Sequence, residues 1–318
     1  MAGHVVSVGD LVLDVVLPVT LPVVGGKHQE PAFRRVEPGG AANFLFAARH
    51  MGLRVTAAGT VGADVFGQLI LDALAAAEID TAQIAVPPGA TTTLVIALAD
   101  LASGEHAFIG HYGSGPDVPY PARLDAALEE AGALFLMGYT FAEKRVVPMA
   151  RRALDHARAA GVPVYLDVGP FMAMVPPDLM EHITARADVL LMTEDEIGLV
   201  CAGCAAEEAA ARLLARGPST LVIKQGASGC AVVTPAGWTP VAGYPAEVVD
   251  TIGAGDCFAA AFVAGRLNGL SLVDAARLAN AMGAATVQKA GAGRNAPTCA
   301  EVLAVLERAG EQLEFPCP

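Results

Sequence analysis

No stretch of about 18 uninterrupted apolar residues occurs in this chain, although hydrophobic residues fill 54% of its 318 positions. Its apolar runs are cut by Asp10 and Asp14, by Pro18 and Pro22, or by glycines, so no membrane span is expected. The opening "MAGHVVSVGD" lacks a basic n-region and a small-residue cleavage site and reads straight into a strand, which predicts a cytoplasmic protein. Basic residues are scarce: 20 Lys plus Arg stand against 33 Asp plus Glu, a net charge of -13 with no basic cluster. That argues against a nucleic-acid partner. An anionic ligand would have to be held by backbone N–H groups and a few placed cations, because bulk charge repels it. The six cysteines are spread too widely to suggest a disulfide framework. Cys201 and Cys204 form the only C-x-x-C, with no second pair to complete a zinc site and no thioredoxin-like context, so they are read as buried structural thiols. No G-x-G-x-x-G follows the first strand, which argues against a nicotinamide-dependent dehydrogenase. A linker, an internal repeat and a low-complexity tail are also missing.

What is present is alternation. The runs "HVVSVGD", "RVTAAGTVG", "ALFLMGY", "PVYLDV", "DVLLM", "TLVIK" and "CAVVT" read as strands, several apolar almost throughout, as strands buried on both faces should be. Between them, "FGQLILDALAAAEID", "VVPMARRALDHARAAG" and "AAEEAAARLLARG" read as helices. This order predicts one large α/β domain: a doubly wound, mainly parallel sheet flanked by helices. Residues 15–38 and 91–111 break the rhythm with extended, turn-punctuated segments and are expected to form a small antiparallel β sheet, either a cover for a crevice or edge hairpins on the core. The core is then 1–14, 39–90 and 112–318. Ligands in such folds bind beyond the carboxyl ends of the strands. Asp10, Asp14, Asp167, Thr193, Glu194, Asp195, Glu196, Lys224 and Asp250 fall there and are expected to face one crevice.

Within "VVDTIGAGDCFAAAFVAG", Gly253 and Gly255 permit a tight strand-to-helix turn before a long apolar helix. The N–H groups of Ala254, Gly255 and Asp256 would be unpaired at a positive helix end, a site suited to phosphate. Asp256 reads as a helix cap or as a base that takes a proton from a hydroxyl attacking phosphorus. The helix end is expected to keep it ionised. "EPGGAANFLFAARHMG" repeats the architecture, with Gly39 and Gly40 in the turn and Asn43 in the first helical turn; with Asp14 it offers a carboxylate and an amide to the hydroxyls of a polyol. In "LLMTEDEIGLV" the acids fit a solvated helix start or a magnesium ligand. "LVIKQGASG" sets Lys224, Gly226 and Gly229 after a strand, suited to phosphates or to an ordinary turn.

"DTIGAGDCF" resembles the C-terminal D-T-x-G-A-G-D signature of the ribokinase-like (PfkB) carbohydrate kinases, and "PGGAANFLFAARHMG" is similar to their N-terminal glycine-pair and asparagine signature. "AATVQKAGAGRNAPT" resembles the family's closing segment, so the resemblance spans nearly the whole chain. It implies a ribokinase-like fold with a β lid. Asp256 then corresponds to the catalytic base and Gly253, Ala254 and Gly255 to the anion hole. Asp14, Gly39, Gly40 and Asn43 match sugar-holding positions. Thr193, Lys224, Gly226, Gly229, Thr251 and Asn280 fall in the nucleotide region, with Lys224 where threonine is frequent. Asp250, Ile252, Thr286, Lys289, Gly291 and Asn295 align with a monovalent-cation site for K⁺. The family's N-x-x-E appears as Thr193 to Glu196, keeping Glu196 for Mg²⁺ and replacing the asparagine.

The resulting expectation is an ATP-dependent, magnesium-using kinase acting on a hydroxyl of a small neutral sugar or polyol, a homodimer paired through its lid. A nucleoside kinase on the same fold is the alternative, with Val15, Val16 and Val24 facing a base. A non-catalytic sugar or nucleotide sensor is the reading from another class.

Overall fold

The computed structural model describes residues 3–31, 33–100, 102–103, 106–201 and 204–318. Residues 32, 101, 104 and 105 of the expected lid, and 202 and 203 between the C-x-x-C cysteines, lie outside the described residues. Thirteen strands are described: β1 His4–Val8, β2 Leu11–Pro18, β3 Arg35–Gly40, β4 Arg54–Thr60, β5 Asp80–Ala85, β6 Thr93–Ala99, β7 His106–His111, β8 Ala133–Met137, β9 Val164–Asp167, β10 Val189–Thr193, β11 Thr220–Lys224, β12 Gly229–Thr234 and β13 Gly237–Ala242. Nine form one sheet in the order β13-β12-β11-β10-β9-β8-β1-β4-β5. Pairing is parallel from β11 to β5, and β12 and β13 add an antiparallel edge. This is the expected doubly wound α/β architecture.

Alternation along the buried strands explains the two core layers. On β8, Ala133, Phe135 and Met137 face one layer while Leu134 and Leu136 face the other, so an unbroken apolar run serves both faces. Phe135 stacks on Phe44 of the helix Ala41–His50 with ring centroids 3.5 Å apart. The helix Ala254–Leu267 is buried continuously from Cys257 to Gly265. It packs against Ala41–His50 and Leu272–Val287, and that burial accounts for its oily sequence.

β5 and β13 were not anticipated. Both are edge strands, "DTAQIA" and "GWTPVA", too polar or too exposed to show an apolar run. The chain leaves the central sheet at Gly9–Asp10, and β2 enters a second, four-stranded sheet in the order β3-β2-β6-β7. The outer pairs are antiparallel; the central pair β2–β6 is parallel, joined by a long crossover in which β3, β4, β5 and two helices intervene. Asp64 anchors this sheet: it caps the helix Val65–Ala76 through Gly67 N and accepts from Thr92 N and Oγ1 at 2.9 and 2.7 Å.

The cysteine expectation needs a correction. Cys299 and Cys317 form a disulfide that pins the C-terminal segment to the helix Cys299–Arg308; spacing alone does not disclose such a pairing. Cys201 and Cys204 are half-buried with their sulfurs 2.9 Å apart. Among the described residues no helix is long and apolar enough to cross a membrane.

Candidate active site

The order of the parallel strands reverses between β1 and β8, the switch point where α/β folds place ligands. Two glycine turns meet there. Gly253 has φ 72° and ψ 5°, the left-handed start of the helix Ala254–Leu267. A Cβ on it would lie 2.3 Å from Ala292 Cβ and 3.3 Å from Asn43 Nδ2, so only glycine fits. Cys257 N makes the first intrahelical bond, to Gly253 O at 2.9 Å. Ala254 N reaches back to Thr251 O at 3.3 Å, which removes it from the expected trio of free donors. The N–H groups of Gly255 and Asp256 remain, aimed out of the helix end.

Asp256 does not cap its helix: the N-cap is Gly253 and no side chain bonds the free amides. Its Oδ2 instead accepts from Asn43 Nδ2 at 2.9 Å, across 213 residues of sequence. The two signatures therefore meet through a single hydrogen bond. Burial pushes the Asp256 carboxyl up to about 7, the Asp167 carboxylate adds to the rise, and Asn43 and Lys224 oppose it. The expectation that the helix end would keep Asp256 fully ionised is thus corrected; desolvation outweighs the dipole. Two consequences follow in sign. The reactive carboxylate forms as pH rises through about 7, so kcat/KM should fall about tenfold per pH unit below that point. Against an ordinary carboxyl pKa in the unfolded chain, ionising Asp256 also costs stability, which is lost progressively as pH rises from about 4 and lost in full above about 7. Asp256→Asn should therefore melt higher than wild type at pH 8, by about 2 °C or more, and the gain should vanish near pH 4. A pH-independent difference in Tm would contradict the burial argument.

On the acceptor side, Asp14 stands on β2 opposite Glu37 of β3. Its Oδ2 lies where a Gly39 Cβ would be, 1.8 Å away, so the glycine clears space for the carboxylate. Burial pushes Asp14 up to about 6. Asp10, buried at the end of β1, is pushed up to about 7 by burial and by Glu143, and meets Thr93 Oγ1 at 3.4 Å. The Tyr139 and Phe171 rings lie 4.8 Å apart along the same crevice, tilted by 48° to each other. Burial raises the Tyr139 phenol, and the charges of Asp256, Asp167 and Glu196 raise it further. Sequence reading placed Asp10 in the crevice without a role and missed Tyr139, whose only signal is its position directly after the strand "ALFLM".

Lys224 and Asp167, at the ends of β11 and β9, form a buried ion pair. Gly226 and Gly229 make the turn between β11 and β12 with φ 55° and 100°. Asn280 is buried, and its amide donates to Val241 O and Ala242 O at 3.0 Å, holding β13. Thr251 is exposed. Thr193 caps the helix Glu194–Val200: its Oγ1 accepts from Glu196 N while Glu196 Oε2 accepts from Thr193 N at 2.8 Å. Of the three acids there, Glu194 and Asp195 are exposed and Glu196 is buried in the crevice. No cluster of three metal-ligating side chains exists among the described residues. A single carboxylate with one oxygen engaged still fits Mg²⁺, which is held chiefly by substrate phosphates and water.

The residues expected around a monovalent cation come together. Asp250 accepts from Ile252 N at 3.0 Å and Gly291 N at 2.7 Å. Asn295 donates to Ala290 O at 2.9 Å, and Lys289 N donates to Thr286 O at 3.0 Å. The Lys289 ammonium turns away to Glu301 at 2.7 Å, leaving the loop to its main-chain oxygens.

The family model for pfkB family carbohydrate kinases matches residues 2–299. The chain is 27% identical over 286 residues to a 5-dehydro-2-deoxygluconokinase of Shouchella clausii, covering 87% of this chain and 88% of that protein. It is 28% identical over 322 residues to fructokinase-1 of Zea mays, covering 96% and 98%. The structure of Arabidopsis thaliana ribokinase complexed with ribose and ATP superposes with a TM-score of 0.82 over 96% of this chain and 99% of that one, at 23% identity, a likeness of fold. With both glycine turns joined at Asp256 and the family model running through nearly the whole sequence, this chain belongs to the pfkB family of carbohydrate kinases, which are ATP-dependent phosphotransferases.

Proposed function

We propose that this kinase phosphorylates a hydroxyl of a small neutral sugar or polyol, with Asp256 as the base. The hydrogen bond from Asn43 to an Asp256 that caps nothing carries this reading. Asp256 takes the hydroxyl proton, the acceptor oxygen bonds to the γ-phosphorus of ATP, and the bond from that phosphorus to the β-phosphate oxygen breaks, releasing ADP. The Gly253–Gly255 turn offers backbone N–H groups to the charge on the transferring group. Asp14, Gly39, Gly40 and Asn43 hold the acceptor; Thr193, Lys224, Gly226, Gly229, Thr251 and Asn280 surround the nucleotide. Glu196 would hold Mg²⁺, which supplies charge neutralisation of the phosphates. The four-stranded sheet of β2, β3, β6 and β7 acts as a lid that excludes water. Asp250, Ile252, Thr286, Lys289, Gly291 and Asn295 would hold K⁺, whose charge would order the loop beside the anion hole.

The charges around the acceptor position support neutrality. Asp10, Asp14 and Asp256 line it, and two of the nearby cations are paired with acids. Arg145 pairs with Glu143 at 3.1 Å and Arg294 with Glu37 at 2.7 Å, while Arg35 lies against Gly291. Lys27 and Arg34 are exposed, and Ala41 follows the glycine pair. A phosphosugar would meet three carboxylates at this position, with Arg145 and Arg294 already paired. The aromatic faces of Tyr139 and Phe171, 4.8 Å apart and tilted by 48°, favour, as a second reading, a nucleoside whose base lies against one of them. The test compares kcat/KM for fructose with fructose 6-phosphate, ribose with ribose 5-phosphate, and inosine, each in K⁺ and in tetramethylammonium. The neutral member of a pair should win, and K⁺ should raise the rate. Preference for a phosphosugar would overturn the neutral acceptor, and equal rates in the two buffers would remove the cation.

Exposed Val36, Phe108, Ile109 and Tyr112 on the lid strands and their margin support a homodimer through this sheet. Its mass in solution tests that. The enzyme's need for ATP supports a cytoplasmic location.

A further inference from the structure

Lys224 Nζ donates to both oxygens of Asp167, at 2.8 and 2.9 Å. The side chains are 13% and 6% exposed. They reach each other from β11 and β9, on either side of β10. A Cβ on Gly255 would lie 3.4 Å from the same Nζ, so the ammonium borders the turn that carries the unpaired Gly255 and Asp256 amides. Burial opposes the Lys224 charge, but Asp167 and then Glu196 hold its pKa above the ordinary lysine value.

An ion pair kept this far from water gains little stability over a neutral pair of the same size. Its position is what distinguishes it. Two of the three ammonium donors go to Asp167, and the third is left for an oxygen on the crevice side. The phosphorus under attack must sit next to Asp256, and Gly255 is the neighbour of both Asp256 and Nζ. The β-phosphate lies one phosphoryl unit further from the base.

We propose that Asp167 is a positioning residue that holds the Lys224 ammonium at the edge of the Gly253–Asp256 turn, where Lys224 contacts the γ-phosphoryl group of ATP rather than the β-phosphate. Without Asp167 the four-carbon stem is free to swing, and the charge no longer stays where the transferring group develops its own. This rests on the kinase reading.

The test is binding of AMP-PNP and of ADP to the full chain by calorimetry, together with kcat and KM, in wild type, Lys224→Met, Asp167→Asn and the double variant. Lys224→Met should weaken AMP-PNP about tenfold and ADP by less than about threefold, and lower kcat about 10². Asp167→Asn should lower kcat about tenfold with acceptor KM unchanged, and Asp167→Glu should recover part of that loss, which a merely structural carboxylate would not predict. The double variant carries no unpaired buried charge and serves if a single variant folds poorly; it should show the Lys224→Met split. Equal losses for ADP and AMP-PNP, or wild-type affinity for both in the double variant, would overturn the proposal. This split between Lys224→Met and wild type, found together with no ADP release by wild type with any acceptor, would instead overturn the kinase reading.

Discussion

Asp256→Asn should lower kcat by about 10² or more, the usual scale for a positioned base, while nucleotide binding persists. Asparagine keeps the size of the side chain and can still accept from Asn43 Nδ2, now 2.9 Å from Asp256 Oδ2. The helix loses no cap, because Asp256 bonds none of its amides. The loss is therefore confined to proton removal. It should appear in kcat and kcat/KM together, since the proton moves only in the transition state. Near-normal turnover in a folded Asp256→Asn protein would return Asp256 to a structural role.

Gly39→Ala should lower kcat/KM for the acceptor about 10- to 100-fold, the scale of a lost hydrogen bond to a charged group. The new Cβ would fall 1.8 Å from Asp14 Oδ2 and 2.4 Å from its Cγ. Gly39 is not among the residues with positive φ, so alanine suits the backbone and the carboxylate must move. ADP affinity, read by calorimetry, should stay at the wild-type value because the displaced group lies on the acceptor side. An unchanged acceptor kcat/KM would mean that Asp14 does not bind it.

How far these residues could be read without coordinates depends on how local their signals are. The parallel strands declared themselves because burial on both faces leaves apolar runs such as "ALFLM". The edge strands β5 and β13 did not, because an edge tolerates Gln83, Trp238 and Pro240. The glycine turns were legible, since a left-handed residue before a breaker-free helix leaves a compositional trace at Gly253. What Asp256 does with its carboxylate was not, as a cap and a base have the same sequence; the contact with Asn43 decides it. The Lys224–Asp167 pair spans 57 residues and two strand ends, and nothing local to either residue announces it. Its counterpart is Thr193, whose capping box with Glu196 follows from spacing alone.

The central claim is transfer of the γ-phosphoryl group of ATP to a neutral acceptor, and its most direct measurement is acceptor-dependent ADP release with mass analysis of the product. Wild-type protein with Mg²⁺, K⁺ and ATP, offered neutral sugars, their phosphates and nucleosides, should form one ADP for each neutral acceptor molecule that gains the mass of one phosphoryl group. ADP release that is absent for every acceptor, or that appears without phosphorylated acceptor, would contradict it.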